Sequence, residues 1–294
     1  MARVSERTIG YGYILLAATC WGLLGPVARW ALEAGVEPLE VAFWRAVIGG
    51  VCFVGHAVWL RTRRGAVGVK RRHWPVMAAF GLLGVSLFYS AYQFAVEAGG
   101  AALASVLLYT APAWVAAIGV AWLGERLTAL KAMAVALTLL GVAGIALGGT
   151  GAVRITWGAL AWGLASGLSY ALYYPFGKHY FDDYAPATVF ACALPVGALG
   201  LAPLVAFAPK DAATWGALVF IGLVSTYGAY LAYGAGLRRL EASRASIVAT
   251  LEPVVAALVA FWWWDERFGP WGYVGAVLVV AAAFLAAAAP EEKP

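Results

Sequence analysis

Ten stretches of roughly 20 largely apolar residues follow one another along this chain, each about long enough to cross a lipid bilayer as a helix. They run from Gly10 to Leu32, Val41 to Leu60, Pro75 to Val96, Ala101 to Leu123 and Thr128 to Leu147. After a break come Ile155 to Gly177, Pro186 to Phe207, Thr214 to Gly236, Ala245 to Trp264 and Pro270 to Ala289. A water-soluble core has no room for this pattern. Hydrophobic residues make up 63% of the chain and charged residues 12%, about half the charged share of a soluble domain. The expected fold class is therefore an all-α integral membrane protein, since a backbone in lipid must satisfy its own hydrogen bonds.

Connections such as Glu97 to Gly100 and Gly124 to Leu127 are short enough to make sequence neighbours antiparallel. Residues 148–154 form the expected linker between two repeats, 1–147 and 155–294. The net charge of +5 arises from short loops rather than an amphipathic face, which speaks for topology and against nucleic acid as a partner. Arg3, Arg7, Arg61, Arg63, Arg64, Lys70, Arg71, Arg72, Arg126, Lys131, Lys178, Arg238, Arg239, Arg244 and Lys293 share one side. The other side holds Arg154, Lys210 and Arg267. Both termini are thus expected in the cytoplasm.

Five spans per repeat force the second repeat to enter from the opposite side, so the expectation is ten transmembrane helices as two inverted five-helix repeats. The sequence is itself duplicated. Ser105, Pro112, Trp122, Glu125 and Arg126 are matched 141 residues later by Ser246, Pro253, Trp263, Glu266 and Arg267, within the stretches Ala104 to Leu127 and Ala245 to Phe268. Gly84, Tyr89, Ala91 and Tyr92 are matched 138 residues later by Gly222, Tyr227, Ala229 and Tyr230; Trp21, Pro26 and Arg29 align more weakly with Tyr170, Pro175 and Lys178.

Trp21-Gly22, Phe43-Trp44-Arg45 and the two proline-bearing spans ending in Gly124-Glu125-Arg126 and Asp265-Glu266-Arg267 resemble the EamA type of the drug/metabolite transporter superfamily. The resemblance covers nearly the whole chain. It implies a central cavity between the halves and export of amino acids or related metabolites.

Polar groups within membrane spans carry the functional information, because each is costly there unless paired or wetted. Ser86, Tyr89, Ser90, Gln93 and Glu97 recur every three or four residues and so fall on one helical face. Ser166, Ser169, Tyr170 and Tyr173 make a second stripe, and Tyr227, Tyr230 and Gly234 a third. Such stripes either line a cavity for a small zwitterion or bond neighbouring helices. Trp21, Tyr109, Ser105 and Ser246 complete the candidate substrate cavity. Its sharpest member is Glu252, near mid-membrane and directly before Pro253. Glu252 would accept a substrate ammonium, carry a coupling proton, or remain a protonated carboxyl bonded to the backbone at the kink.

Pro26, Pro112, Pro175 and Pro253 mark expected bends at which helices gate. Arg29 and Arg45 read as rim ion pairs with Glu33, Glu37 and Glu40, or alternatively as attractors of a substrate carboxylate. Glu125-Arg126 and Glu266-Arg267 read as end caps and topology anchors. Trp262, Trp263 and Trp264 fit an interfacial belt. The fifth and tenth spans, with Gly144, Gly148, Gly272 and Gly275, read as close-packed scaffold.

Cys20, Cys52 and Cys192 fall in apolar runs, and His56, His73 and His179 lie apart from acidic clusters. No catalytic residue, metal site or cofactor is expected. No phosphate-binding glycine loop is present to couple ATP. The expected protein is a secondary transporter of the bacterial inner membrane, exporting amino acids or related small metabolites by alternating access. Its partners are a small-molecule substrate and the lipid bilayer. An exporter of lipophilic cations or nucleotide-derived metabolites is the alternative. One chain supplies both halves, so a monomer suffices. The charge bias predicts that a cysteine replacing Arg72 is shielded from an impermeant thiol reagent outside intact cells; labelling there would invert the topology.

Overall fold

The computed structural model describes residues 5–148, 153–267 and 269–289. Arg3, Lys293, Phe268 and linker residues 149–152 lie outside the described residues. The secondary structure described is helical throughout. The rods are α1 (Glu6–Glu33), α2 (Pro38–Arg64), α3 (Arg71–Gly99), α4 (Ala101–Trp122) and α5 (Ala129–Leu147). They continue with α6 (Trp157–Ala171 plus Tyr173–Tyr180), α7 (Pro186–Leu204), α8 (Ala212–Leu237), α9 (Ala242–Trp264) and α10 (Pro270–Ala288). Among the described residues, nine of these are long and apolar enough to cross a membrane. Those nine begin and end within a few residues of the spans expected from sequence. The exception is α6, which is divided at Leu172 and carries Tyr170, Tyr173, Tyr174, Lys178 and His179.

Helix starts follow ordinary capping chemistry. Ser5, Thr128, Thr156 and Asp211 each place a side-chain oxygen on a backbone N–H three residues on, satisfying donors that the first turn leaves free. Interruptions within rods are more informative. The helix breaks at Leu23 in α1, Tyr109–Thr110 in α4, Leu172 in α6 and Thr250–Leu251 in α9. Wider π turns occupy Leu82–Leu87 in α3 and Ile221–Gly228 in α8. Pro26, Pro112, Pro175 and Pro253 all fall within the first three residues of the segment after a break. A proline is tolerated there because its missing N–H costs no helical bond.

Packing pairs α5 with α10, α2 with α7, α3 with α6 and α1 with α8; α4 also meets α6, and α1 meets α9. The α5–α10 contact is a glycine seam. A Cβ built on Gly275 would lie 2.3 Å from the Gly141 carbonyl oxygen and 2.6 Å from the Ile145 nitrogen. Only glycine lets these backbones approach so closely.

The two ends of the bundle are held by charge. At the basic end, Arg7 reaches the Ala287 and Ala289 carbonyls while Arg244 reaches those of Ala286 and Ala289, satisfying acceptors that close α10. Glu241 joins Lys131 and Arg244 there. Burial pushes its carboxyl up, but the hydrogen bonds from Arg244 and Lys131 outweigh it and hold Glu241 below the usual carboxylate range. At the opposite end, Glu40 is fully buried against Lys210, Trp44 and the Ala208 backbone N–H.

Gly275→Leu is expected to lower the melting temperature in detergent sharply, at a cost of about 1–3 kcal/mol or more from overpacking against backbone. Gly12→Ala, where a new Cβ meets nothing within 4 Å, is expected to leave melting unchanged or slightly raised. Equal effects of the two changes would rule out the seam as a tight contact.

Candidate functional site

The interrupted rods bring a cluster of aromatic residues to the centre of the bundle. Trp21 of α1 packs its ring 5.9 Å from that of Tyr230 and 5.8 Å from that of Tyr233, both on α8. A chain of hydroxyls runs through the cluster: Tyr89 to Tyr230 at 3.2 Å, and Tyr230 to Tyr173 at 3.2 Å. From there Tyr173 donates to the Gly84 carbonyl at 2.6 Å. Tyr233 donates to the Tyr173 carbonyl at 2.8 Å. Rings and hydroxyls are thereby fixed together, as buried tyrosines require.

Two opposite charges face this cluster. Arg45, on α2, stands 4.6 Å from the centroid of Tyr89 and donates from Nε to the Thr226 hydroxyl at 3.3 Å. Among the described residues no carboxylate lies within ion-pair distance of it. Its cation is held by a ring face and a hydroxyl, which leaves donors of the guanidinium fork free for an anion. Glu252 opens the second piece of α9, where the first-turn N–H groups favour negative charge. The Tyr109 hydroxyl and, farther off, the Arg45 guanidinium lie within the electrostatic reach of Glu252. Tyr92, Tyr170 and Tyr174 lie within its electrostatic reach. As a whole residue Glu252 is half-buried.

The structure sorts the residues expected in the cavity. Trp21, Tyr89, Tyr173 and Tyr230 meet at the centre. Tyr109 and Tyr170 stand around Glu252, and Ser105 joins them through a 3.2 Å contact with the Tyr92 hydroxyl. Other members are placed elsewhere. Ser86 donates to the Gly197 carbonyl of α7 at 2.9 Å, and Ser90 donates to the Ser86 carbonyl of its own helix at 2.7 Å. The π turn over Leu82–Leu87 is the reason: it widens the helix and rotates Ser86 out of the three-and-four register. Gln93 bonds Glu97 at 3.4 Å near the end of α3. Ser246 is buried and donates to the Ser243 carbonyl at 2.8 Å.

Tyr227 turns outward from its own π turn and meets His56 Nδ1 at 2.9 Å. It lines a peripheral cavity of about 460 Å³ with Cys52, Gly55, His56 and Trp59. The expected rim pair of Arg45 with Glu40 does not form, because Glu40 is taken by Lys210. Arg45 instead reaches the centre. Tyr174 and Tyr92 were not expected at the site; a tyrosine adjacent to Tyr173 and the repeat mate of Tyr230 were the available signals.

Arg29 forms the expected rim pair with Glu33 at 2.8 Å and, beyond that expectation, pairs with Glu266; its guanidinium lies 4.2 Å from the centroid of Trp264. Glu125, at the basic end, accepts hydrogen bonds from the backbone N–H of Ala242 at 2.6 Å, from that of Ser243 at 3.3 Å and from the Ser243 hydroxyl.

A multi-pass bundle with a charged, hydroxyl-rich centre between its helices belongs to the class of membrane transporters. The EamA-like transporter family model matches residues 8–147 and again 157–288, and the chain belongs to that family. An uncharacterized transporter of Archaeoglobus fulgidus is 27% identical over 282 residues, covering 95% of this chain and 97% of the relative. A probable terminal-alkyne amino-acid exporter of Streptantibioticus cattleyicolor is 28% identical, covering 92% and 91%. The pseudopaline exporter CntI of Pseudomonas aeruginosa is 24% identical, covering 91% and 92%. A protein of known crystal structure, 21% identical, shares the fold over 97% of each chain with a TM-score of 0.79.

Proposed function

We propose that this protein exports amino acids or closely related zwitterionic metabolites across a bacterial inner membrane. The presence of Arg45 and Glu252 among the same buried tyrosines, each within the other's electrostatic reach, carries this reading. A free amino acid presents a carboxylate and an ammonium at its two ends; Arg45 suits the first and Glu252 the second. Between them, ring faces and hydroxyls accommodate a variable side chain. An exporter of lipophilic cations has use for Glu252 and the tyrosines but none for a free guanidinium beside them. The relative named as a probable amino-acid exporter supports the same choice.

Transport proceeds by alternating access between two inverted five-helix halves, residues 1–147 and 155–294, joined at 148–154, with α6 as the tenth span. Support comes from the interruptions, since each break or π turn in α1, α3 and α4 has a mate in α6, α8 and α9. The pairing of rods obeys the same correspondence: α3 with α6 answers α8 with α1, and α4 with α6 answers α9 with α1. The basic end faces the cytoplasm by the positive-inside bias, which places both termini there. A single chain contains both halves, so a monomer is sufficient.

Radiotracer exchange in proteoliposomes tests the assignment. Amino acids are expected to exchange and aromatic cations not to, with Arg45→Ala and Glu252→Gln each lowering amino-acid exchange about tenfold or more, or at least about 1.4 kcal/mol. Flux of aromatic cations without amino-acid flux would overturn the substrate class. Retained exchange that has lost its pH dependence in Glu252→Gln would reassign that carboxyl to carrying a proton.

A further inference from the structure

The two repeated Glu-Arg ends leave their helices through the same turn but are engaged differently. Gly124 has φ +69° and Asp265, its mate 141 residues later, has φ +49°. The Glu125 N–H donates to the Gly119 carbonyl at 2.9 Å, and the Glu266 N–H donates to the matching Ala260 carbonyl at 3.3 Å. Both carboxylates are thus launched from one left-handed turn geometry that closes the last helical carbonyls. From there their partners diverge. Glu125 holds the first N–H groups of α9, whereas Glu266 pairs with Arg29 at an exposed rim.

Burial diverges in the same sense. All eight residues of Ala242–Ala249, the start of α9, are buried, packed on the second piece of α4 and on α1, α6 and α10. In the matching start of α4, Ala101–Leu108, only Ala104 is buried. The second piece of α9, Glu252–Trp264, has no buried residue, against five in Ala111–Trp122 of α4. One end of the bundle is therefore closed between the two bent helices and the other is open. Helix start Ala101–Leu108 carries no side-chain cap. Lys178, aligned with Arg29, lies within electrostatic reach of Glu125 while its ammonium donates to the Leu237 carbonyl at 3.1 Å.

We propose that Glu125 and Glu266 are reciprocal gate latches, each exchanging a helix N-terminus for a cation as the protein alternates. In the present state Glu125 seals the basic end by capping α9, and Glu266 rests on Arg29. In the opposite state Glu266 caps α4 at Ala101 and Ala102, the mates of Ala242 and Ser243, and Glu125 rests on Lys178. Charge-assisted capping of two backbone N–H groups is stronger than an exposed ion pair, so whichever carboxylate is capping defines the closed end; at the basic end the Ser243 hydroxyl adds to it. The exchange rests on the two-halves reading of transport but not on the substrate; failure of amino-acid flux leaves it standing.

Thiol accessibility reads the exchange directly. Reporter cysteines at the matched positions Ser105 and Ser246, on a background without Cys20, Cys52 and Cys192, are labelled by an impermeant maleimide from each side of sealed vesicles without substrate. Glu125→Gln is expected to raise labelling of Ser246→Cys from the basic side severalfold and to lower labelling of Ser105→Cys from the other side. Glu266→Gln and Lys178→Gln are expected to shift both rates the opposite way. The latch is overturned if Glu125→Gln leaves both rates unchanged or raises both, the latter meaning a loosened bundle. It is equally overturned if Glu266→Gln moves the rates in the same direction as Glu125→Gln. Should Glu125→Gln fail to fold, the Glu266 and Lys178 variants decide alone, and absence of any shift in them discards the exchange.

Discussion

A peptide group in lipid has no water to bond, and that constraint shapes every part of this structure. Long stretches obey it with unbroken helix. Where helix is interrupted, the bonds are taken up locally. Thr250 and Leu251 bond carbonyls three residues back at 3.2 and 3.1 Å, and Thr110 does the same with Leu107 at 3.2 Å. Hydroxyls of Thr110 and Thr250 reinforce those turns. The interruptions cluster towards the bundle centre because irregular backbone is tolerated at membrane depth only where protein or a polar cavity surrounds it. Glu252 and the tyrosine cluster are consequences of that placement: Glu252 starts a new helix segment, and Gly84, which accepts from Tyr173, sits inside a π turn.

The charges at the centre are arranged by competition. Lys210 folds over Trp44 and Trp215 and takes the buried Glu40. Arg45 is thereby left without a nearby carboxylate on its own helix and turns to Tyr89 and Thr226. A guanidinium suits this position because its flat, weakly hydrated face stacks on a ring while its edge stays available. Glu252 stands near the same cluster, within electrostatic reach of Arg45, so opposite charges meet among these tyrosines.

Much of the fold was legible in the sequence, because hydrophobic length, prolines and small-residue spacings act locally. Apolar runs placed the spans. Pro112 and Pro253 marked the breaks in α4 and α9, and the small-residue spacings of the fifth and tenth spans marked them as close-packing helices without naming their partners. Glu252 stood out because an ionisable group in an apolar run is costly wherever it points. What the sequence hid were the π turns. They move Ser86 and Tyr227 off the faces assigned by regular spacing, and no residue pattern announces a turn one residue wider than its neighbours. For Arg45 the sequence left two readings open, rim pair or carboxylate attractor, because the fate of Glu40 turns on Lys210, a residue 165 positions from Arg45 in the chain.

The glycine seam between α5 and α10 bears on how evolution and engineering act on this chain. Backbones in direct contact leave no side-chain layer between α5 and α10, so neither helix shifts along the other without a backbone clash. Substitutions at these glycines, far from the aromatic centre, therefore act on the bundle through displaced backbone rather than through the aromatic cluster. The fifth and tenth helices are the most closely joined pair in the bundle, and glycine is what lets them meet.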